Sequence, residues 1–154
     1  MLPPSNIGDI AHVIQLAVAP VFLLTGIGTL LAVLSGRLGR AVDRGRVVED
    51  LVPVLSAEAL ALAQAELVLL SRRTRLIYAA IVLAVGSALF VCLLIAVAFI
   101  EAFLAVNLAL TISALFVLAM LALIACLVAF LREIFLAVTS ARRAMRYRTG
   151  DPKT

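Results

Sequence analysis

The sequence predicts an all-α integral membrane protein with three transmembrane helices, and three observations support this fold class. The first is the run from Leu76 to Leu131, in which Glu101 is the only charged side chain. The second is the earlier stretch 10–36, which is free of charge when His12 is counted as neutral. The third is the composition, with 65% apolar and 14% charged residues and a mean hydropathy of +1.21. Soluble domains do not reach these values, so lipid is the expected solvent for most of the chain.

The first predicted span is residues 10–36, which as a helix would be about 40 Å long and would cross a hydrocarbon core of about 30 Å. Pro20 lies inside it, removes one backbone hydrogen bond and is expected to bend the helix. A cleaved signal peptide is the competing interpretation. Residues 1–9 lack a positive region, however, and the basic cluster follows the apolar stretch instead of preceding it. We therefore expect the first span to be a membrane helix.

The later apolar run contains the other two spans. It is 56 residues long, and as a single helix it would extend about 84 Å, far more than the thickness of the bilayer core. The chain must therefore cross, turn near Glu101 and cross back. This predicts a second span over residues 76–100 and a third over residues 102–131.

The positions of the positive charges predict the orientation. No Lys or Arg precedes Arg37, seven lie within residues 37–75, none lies in the turn near Glu101, and six follow the third span. The positive-inside rule places the N-terminus and Glu101 outside and the C-terminus in the cytoplasm.

The segments outside the bilayer are predicted to be helical extensions of the spans. Residues 37–75 would form a cytoplasmic helical hairpin, with its turn at Pro53 and with Ser56 as the N-cap of the second helix. Residues 132–154 would complete the third helix and end in a basic tail. We expect one membrane domain over residues 1–154, with no separate soluble domain.

Polar and small residues of the first span fall on one heptad seam, which we call the first-span seam. Its candidate functional members are His12, Gln15, Gly26, Thr29, Gly36 and Arg40. The opposite side, which includes Ile27 and Leu34, is expected to face lipid. Small and polar seams allow membrane helices to approach closely and to hydrogen-bond, and a water-filled path would need the same residue types. Both interpretations stay open, and helix packing is the more general one.

A second group of polar residues is predicted near the outer surface, and we call it the outer polar cluster. It comprises Asp9, His12, Glu101 and Asn107. Gln15 and Asn107 both lie about 9 Å inward, which predicts a hydrogen bond between them because amides facing lipid are costly. Contributions from several subunits could bind a cation or exchange protons through His12. The simpler alternative is a capped and hydrated helix end.

Two further sets of residues have simple interpretations. Cys92 and Cys126 differ in predicted depth by about 24 Å, so they cannot form a disulfide within one hairpin. The basic tail could bind anionic lipid, although the positive-inside rule alone would also account for it. Its arginines are Arg142, Arg143, Arg146 and Arg148.

The sequence resembles a known membrane family. The segment Ile14–Leu24 (IQLAVAPVFLL), followed by Arg37–Arg46 (RLGRAVDRGR), is similar to the uncharacterised bacterial family called domain of unknown function 2721. The resemblance is sharpest over residues 10–50, and the hairpin adds hydropathy and the ending Leu131–Glu133 (LRE). It implies a multi-pass protein of the bacterial inner membrane with three spans. It implies no catalytic residue, cofactor or substrate.

Several classes of function can be ranked from these features. An enzyme is not expected, because the sequence contains no nucleophile paired with a base, metal motif or nucleotide loop, and we predict no cofactor. The basic composition fits the membrane orientation better than nucleic-acid binding. The leading hypothesis is a homo-oligomeric helical assembly of unknown biochemical activity, which could conduct ions along the first-span seam with Arg37 or Arg40 as an inner ring. The alternative is a structural or accessory subunit of a larger membrane complex, and a secondary transporter is third because buried charge and an internal repeat are lacking.

Overall fold

The structure, a computed structural model, consists of three long helices. It describes the backbone of residues 5–104 and 106–148, and the side chains of residues 18–57, 59–104 and 106–138. Helix α1 covers Ser5–Leu51, helix α2 covers Ala57–Leu104 and helix α3 covers Ala109–Arg148. By length and composition, each can cross a membrane, with candidate spans at Val18–Val54, Ala59–Leu104 and Ala109–Val138. The prediction of an all-helical chain with three helices long and apolar enough to cross a membrane is confirmed.

The turn between the second and third spans lies later in the chain than the sequence predicted. Helix α2 continues to Leu104, and α3 begins at Ala109, so the predicted start of the third span at residue 102 is wrong. Two side-chain oxygens explain the difference. Glu101 Oε1 accepts the Leu108 N–H at 3.1 Å, and Asn107 Oδ1 accepts the Ala109 N–H at 3.2 Å. These bonds satisfy backbone donors that have no partner at a helix start.

The connection between α1 and α2 follows the prediction. Helix α1 continues through Pro20 and ends at Leu51. A short 3-10 turn over Val52–Val54 follows and contains Pro53. The Ser56 carbonyl accepts the Leu60 N–H at 2.8 Å, which is the backbone pattern of an N-cap residue. The predicted turn at Pro53 and Ser56 is confirmed, whereas the cytoplasmic location of this segment stays a prediction.

The chain divides into two compact units. Unit 1 comprises residues 1–32 and 82–125, and unit 2 comprises residues 33–81 and 126–154. In unit 1 the buried side chains are mainly apolar, and the buried hydroxyl of Ser87 donates to the Ala119 carbonyl at 2.8 Å. The buried apolar residues of this unit are Ile27, Ala84, Val91, Leu94 and Ala119.

Unit 2 has an apolar core that also encloses a charged side chain. Helix α1 contributes buried residues at intervals of seven, namely Leu34, Ala41 and Val48. The other buried residues of this unit are Ala63, Leu70, Ile77, Ala80, Cys126 and Glu133. Cys126 is a free thiol, as is the exposed Cys92 of unit 1, so the prediction that they form no disulfide is confirmed.

One expectation about the first span is wrong. The face with Ile27 and Leu34 is predicted to face lipid, but these residues are 2% and 0% exposed, whereas Gly26 and Thr29 of the first-span seam are exposed. The physical reason is that dispersion between interlocking side chains does not weaken in lipid, so bulky branched residues gain by packing inside the chain. The small and polar face of α1 is consequently left outside.

Candidate functional site

The described part of the first-span seam is exposed. Gly26 and Thr29 in unit 1 are exposed, as are Gly36 and Arg40 in unit 2. The Thr29 hydroxyl donates to the Thr25 carbonyl at 3.1 Å, so α1 itself satisfies this donor. The remaining two members, His12 and Gln15, lie on α1, but their side chains fall outside the described residues. The assignment of the seam as a pore lining or helix interface stays a prediction.

Contacts within the chain do not require the glycines of α1 in its described part. A Cβ atom added at Gly26, Gly28 or Gly39 would meet nothing within 4 Å, and at Gly36 it would make only ordinary contact with Arg40. Glycine inside a helix costs about 1 kcal/mol relative to alanine. Packing within this chain therefore gives no reason for their small size, whereas close approach by another helix would give one.

The described members of the outer polar cluster form part of the α2–α3 turn. Glu101 and Asn107 each accept a backbone N–H there, which agrees with the simpler interpretation of this cluster as a capped helix end. Asp9 and His12 fall outside the described side chains, and so does Gln15, so the predicted bond from Gln15 to Asn107 stays a prediction. Among the described residues, no group of three His, Cys, Asp or Glu side chains could hold a metal ion.

A buried carboxylate joins all three helices within unit 2. Glu133 of α3 is fully buried, and Arg37 of α1 donates from Nη1 to its Oε2. Arg73 of α2 donates to Glu133 Oε1 from Nη2 at 2.9 Å and from Nε at 3.2 Å. We call these three residues the ion triad. Its geometry fixes the rotation of each helix, because each side chain must point at one shared carboxylate.

The ion triad is electrostatically overcompensated. A buried carboxylate loses several kcal/mol of hydration, and charge-assisted hydrogen bonds to both oxygens offset this loss. Arg37 also lies over the Phe130 ring, 5.2 Å from its centroid, a cation–π contact. Arg37 and Arg73 remain 28% and 24% exposed. One carboxylate and two guanidinium groups leave a net charge of +1 at the edge of the unit.

Sequence reasoning missed the ion triad, although a signal for it exists. Arg37 was considered for an inner ring, but the structure bonds it to Glu133. The three residues follow or precede a predicted span end by one to three positions, next to Gly36, Leu76 and Leu131. Counting depth from these ends would have placed all three at one level. It would not have shown that their side chains face one another.

A second ion pair in unit 2 is exposed. Arg44 Nε donates to Glu66 Oε1 at 2.7 Å and links α1 to α2. Both side chains are largely open to solvent, and exposed pairs of this kind typically contribute less than about 1 kcal/mol. The ion triad, and not this pair, is therefore the main electrostatic feature of the unit.

Comparison with known proteins identifies the family. The family described as "Protein of unknown function (DUF2721)" matches residues 17–143, most of the chain and all three members of the ion triad. The chain belongs to this family. No curated protein and no solved structure gives a significant match. The family assignment confirms the resemblance, and because the family has no assigned function, a function has to be argued from the geometry.

Proposed function

We propose that this protein is a non-enzymatic, self-assembling membrane protein of the bacterial inner membrane, with its N-terminus outside and its C-terminus in the cytoplasm. The observation that carries the proposal is the exposed first-span seam, described above for Gly26, Thr29, Gly36 and Arg40. Without a partner, the small Gly26 and the polar Thr29 of this span would face lipid, although α1 has bulky apolar residues available.

A second copy of the chain is the partner that best fits this face. Facing glycines let two backbones approach closely, which increases dispersion and weak hydrogen bonding between helices. An isologous contact brings the same face of two copies together, and most homo-oligomers have closed symmetry. In the ion triad, α1 is bonded to α3 through Arg37 and Glu133, so the seam members of unit 2, Gly36 and Arg40, would be presented on a fixed helix.

Two other roles would use the same face and differ in the outcome of the test. A ring of copies could conduct ions along Thr29 and Arg40, with Gln15 further along the seam. A different membrane protein could occupy the seam, which would make this chain an accessory subunit. Self-assembly without conduction is the role that we favour, because α1 already satisfies the Thr29 hydroxyl donor.

Anionic lipid is a further proposed partner. An open groove of about 810 Å³ in unit 2 is lined by both α1 and α2 and includes Arg46, Arg72 and Arg75. Each arginine near an anionic leaflet contributes about 1 kcal/mol of attraction. The arginines of the basic tail would add to this, but their side chains fall outside the described residues.

The test of self-assembly is the mass of the full chain in bilayer nanodiscs, measured by native mass spectrometry. We expect an oligomer, and we expect Gly26→Leu to reduce it because the new side chain separates the facing helices. Gly28→Leu is the matched control, because Gly28 is also exposed and equally open but lies off the seam. A monomer in both mild detergent and nanodiscs would refute the proposal, as would equal assembly of the two variants.

Flux measurements in liposomes separate assembly from conduction. The favoured role predicts no ion flux above that of empty liposomes. If flux is seen, the double variant Gln15→Leu with Thr29→Leu should abolish it when the seam lines the path. Flux that survives in this variant would exclude a seam-lined pore.

A further inference from the structure

Unit 1 contains a half-open cavity of about 620 Å³ that is lined by all three helices. Its walls are mainly apolar and include Pro20 of α1, Leu94 and Ala98 of α2, and Phe116 of α3, and Glu101 is also a lining residue. Cavities of about 300–1,000 Å³ with apolar walls and few polar groups are typical of small-molecule sites. The cavity thus combines a suitable volume with a charged group.

No Lys or Arg of unit 1 balances the charge of Glu101. Unit 1 contains no Lys or Arg, because the first of the 13 in the chain is Arg37 and none lies between Leu76 and Leu131. Within the described part of the chain, no ion pair includes Glu101. One of its oxygens accepts the Leu108 N–H. The carboxylate can therefore attract a cation that comes from outside the chain.

We propose that this cavity binds an amphiphilic organic cation, with its apolar body between the helices and its charge beside Glu101. Dispersion contacts with the apolar walls stabilise the apolar body, and the low-dielectric wall strengthens the attraction between cation and carboxylate. A bare metal ion fits less well, because such ions require several oxygen ligands. The hydroxyl in the lining, that of Ser113, already donates to the Ala109 carbonyl. This inference does not depend on self-assembly.

The probes that test it are tetraphenylphosphonium and tetraphenylborate, which have nearly the same shape and opposite charge. Binding is measured by equilibrium dialysis against the full chain in nanodiscs of zwitterionic phosphatidylcholine, with partitioning into empty nanodiscs subtracted. We expect saturable binding of the phosphonium cation and none of the borate anion. Saturable binding of both, or of neither, would overturn the proposal.

Two substitutions locate the site. Glu101→Gln keeps an oxygen to accept the Leu108 N–H and removes only the charge, so it should fold and bind the cation at least tenfold more weakly, about 1.4 kcal/mol. Unchanged affinity in this variant would exclude Glu101 and overturn the proposal.

Ala98→Phe should fill the cavity and abolish binding, whereas Ala96→Phe, two residues away on the exposed surface, should not. If Ala98→Phe is unstable, the result for Glu101→Gln decides. The oligomer mass of each variant, measured in parallel, shows whether binding and assembly fail separately.

Discussion

Each of the two units contains parts of all three helices. The interactions that stabilise unit 1 internally differ from those that stabilise unit 2. Unit 2 contains all 13 Lys and Arg residues and seven of the nine acidic ones, for a net charge of 13 − 7 = +6. Unit 1 has only Asp9 and Glu101, for a net charge of −2. Among described side chains, the buried polar contact between helices in unit 1 is Ser87 to the Ala119 carbonyl. In unit 2 a fully buried carboxylate is shared by two arginines.

The two units show two ways in which the packing of membrane helices can be specified. Lipid provides little hydrophobic driving force between helices, so close packing and a few hydrogen bonds must hold an apolar unit together. Such contacts tolerate many apolar substitutions of similar volume. A buried ion pair tolerates almost none, because loss of one partner leaves an unpaired charge in a poorly solvated place. Substitutions of buried residues should therefore destabilise unit 2 more than unit 1.

The largest effect is expected from Glu133→Ala. The substitution removes the carboxylate and leaves Arg37 and Arg73 facing each other, which should lower the free energy of unfolding by about 3–5 kcal/mol. The measurement is unfolding in mixed micelles with increasing denaturing detergent, followed by circular dichroism. Glu66→Gln breaks the exposed pair with Arg44 and serves as the control, with an expected loss within about 0.5 kcal/mol. Equal losses in the two variants would show that burial does not distinguish the two ion pairs.

An intermediate effect is expected from overpacking unit 1. Ala84 is fully buried in α2, and Ala84→Leu must displace neighbouring side chains at a cost of about 1–3 kcal/mol. The same unfolding measurement applies, with Ala96→Leu as the exposed control on the same helix. If both variants are as stable as the parent protein, the packing of unit 1 is looser than the structure describes.

The smallest effect is expected from Ser87→Ala. It removes the 2.8 Å bond to the Ala119 carbonyl, and hydrogen bonds between membrane helices average only about 0.6 kcal/mol. Ser113→Ala is matched to it, because that hydroxyl bonds within its own helix and should leave stability unchanged. A loss for Ser87→Ala as large as that for Glu133→Ala would erase the proposed difference between the units.

The features that could be predicted from sequence are those fixed by local signals or by length. The three spans follow from apolar length, and the turn at Pro53 and Ser56 follows from proline geometry and capping. The start of α3 was misplaced because Asn107 was interpreted as a deep amide instead of a residue that holds a turn. Local chemistry allows both roles, and only the path of the chain decides between them.

The rotation of each helix about its own axis could not be predicted from the sequence. The heptad pattern separated two faces of α1 correctly, but in lipid either face can be the packed one, and the bulky face with Ile27 and Leu34 is buried. The ion triad was missed for a related reason. Arg37 and Arg73 are 96 and 60 residues from Glu133 in the chain, and no periodicity links positions so far apart on different helices.

The ion triad also imposes an order on how this protein is made. A ribosome synthesises Arg37 and Arg73 before Glu133, so the two arginines must remain hydrated or meet other anions until the last helix arrives. A truncated product that ends before Glu133 keeps two cationic groups without their acid, a state that water or anionic headgroups would draw outward. Unit 2 can thus form its ion triad only when the third helix has been synthesised. An unfinished chain that lacks Glu133 carries two unpaired arginines, whereas the finished chain pairs both.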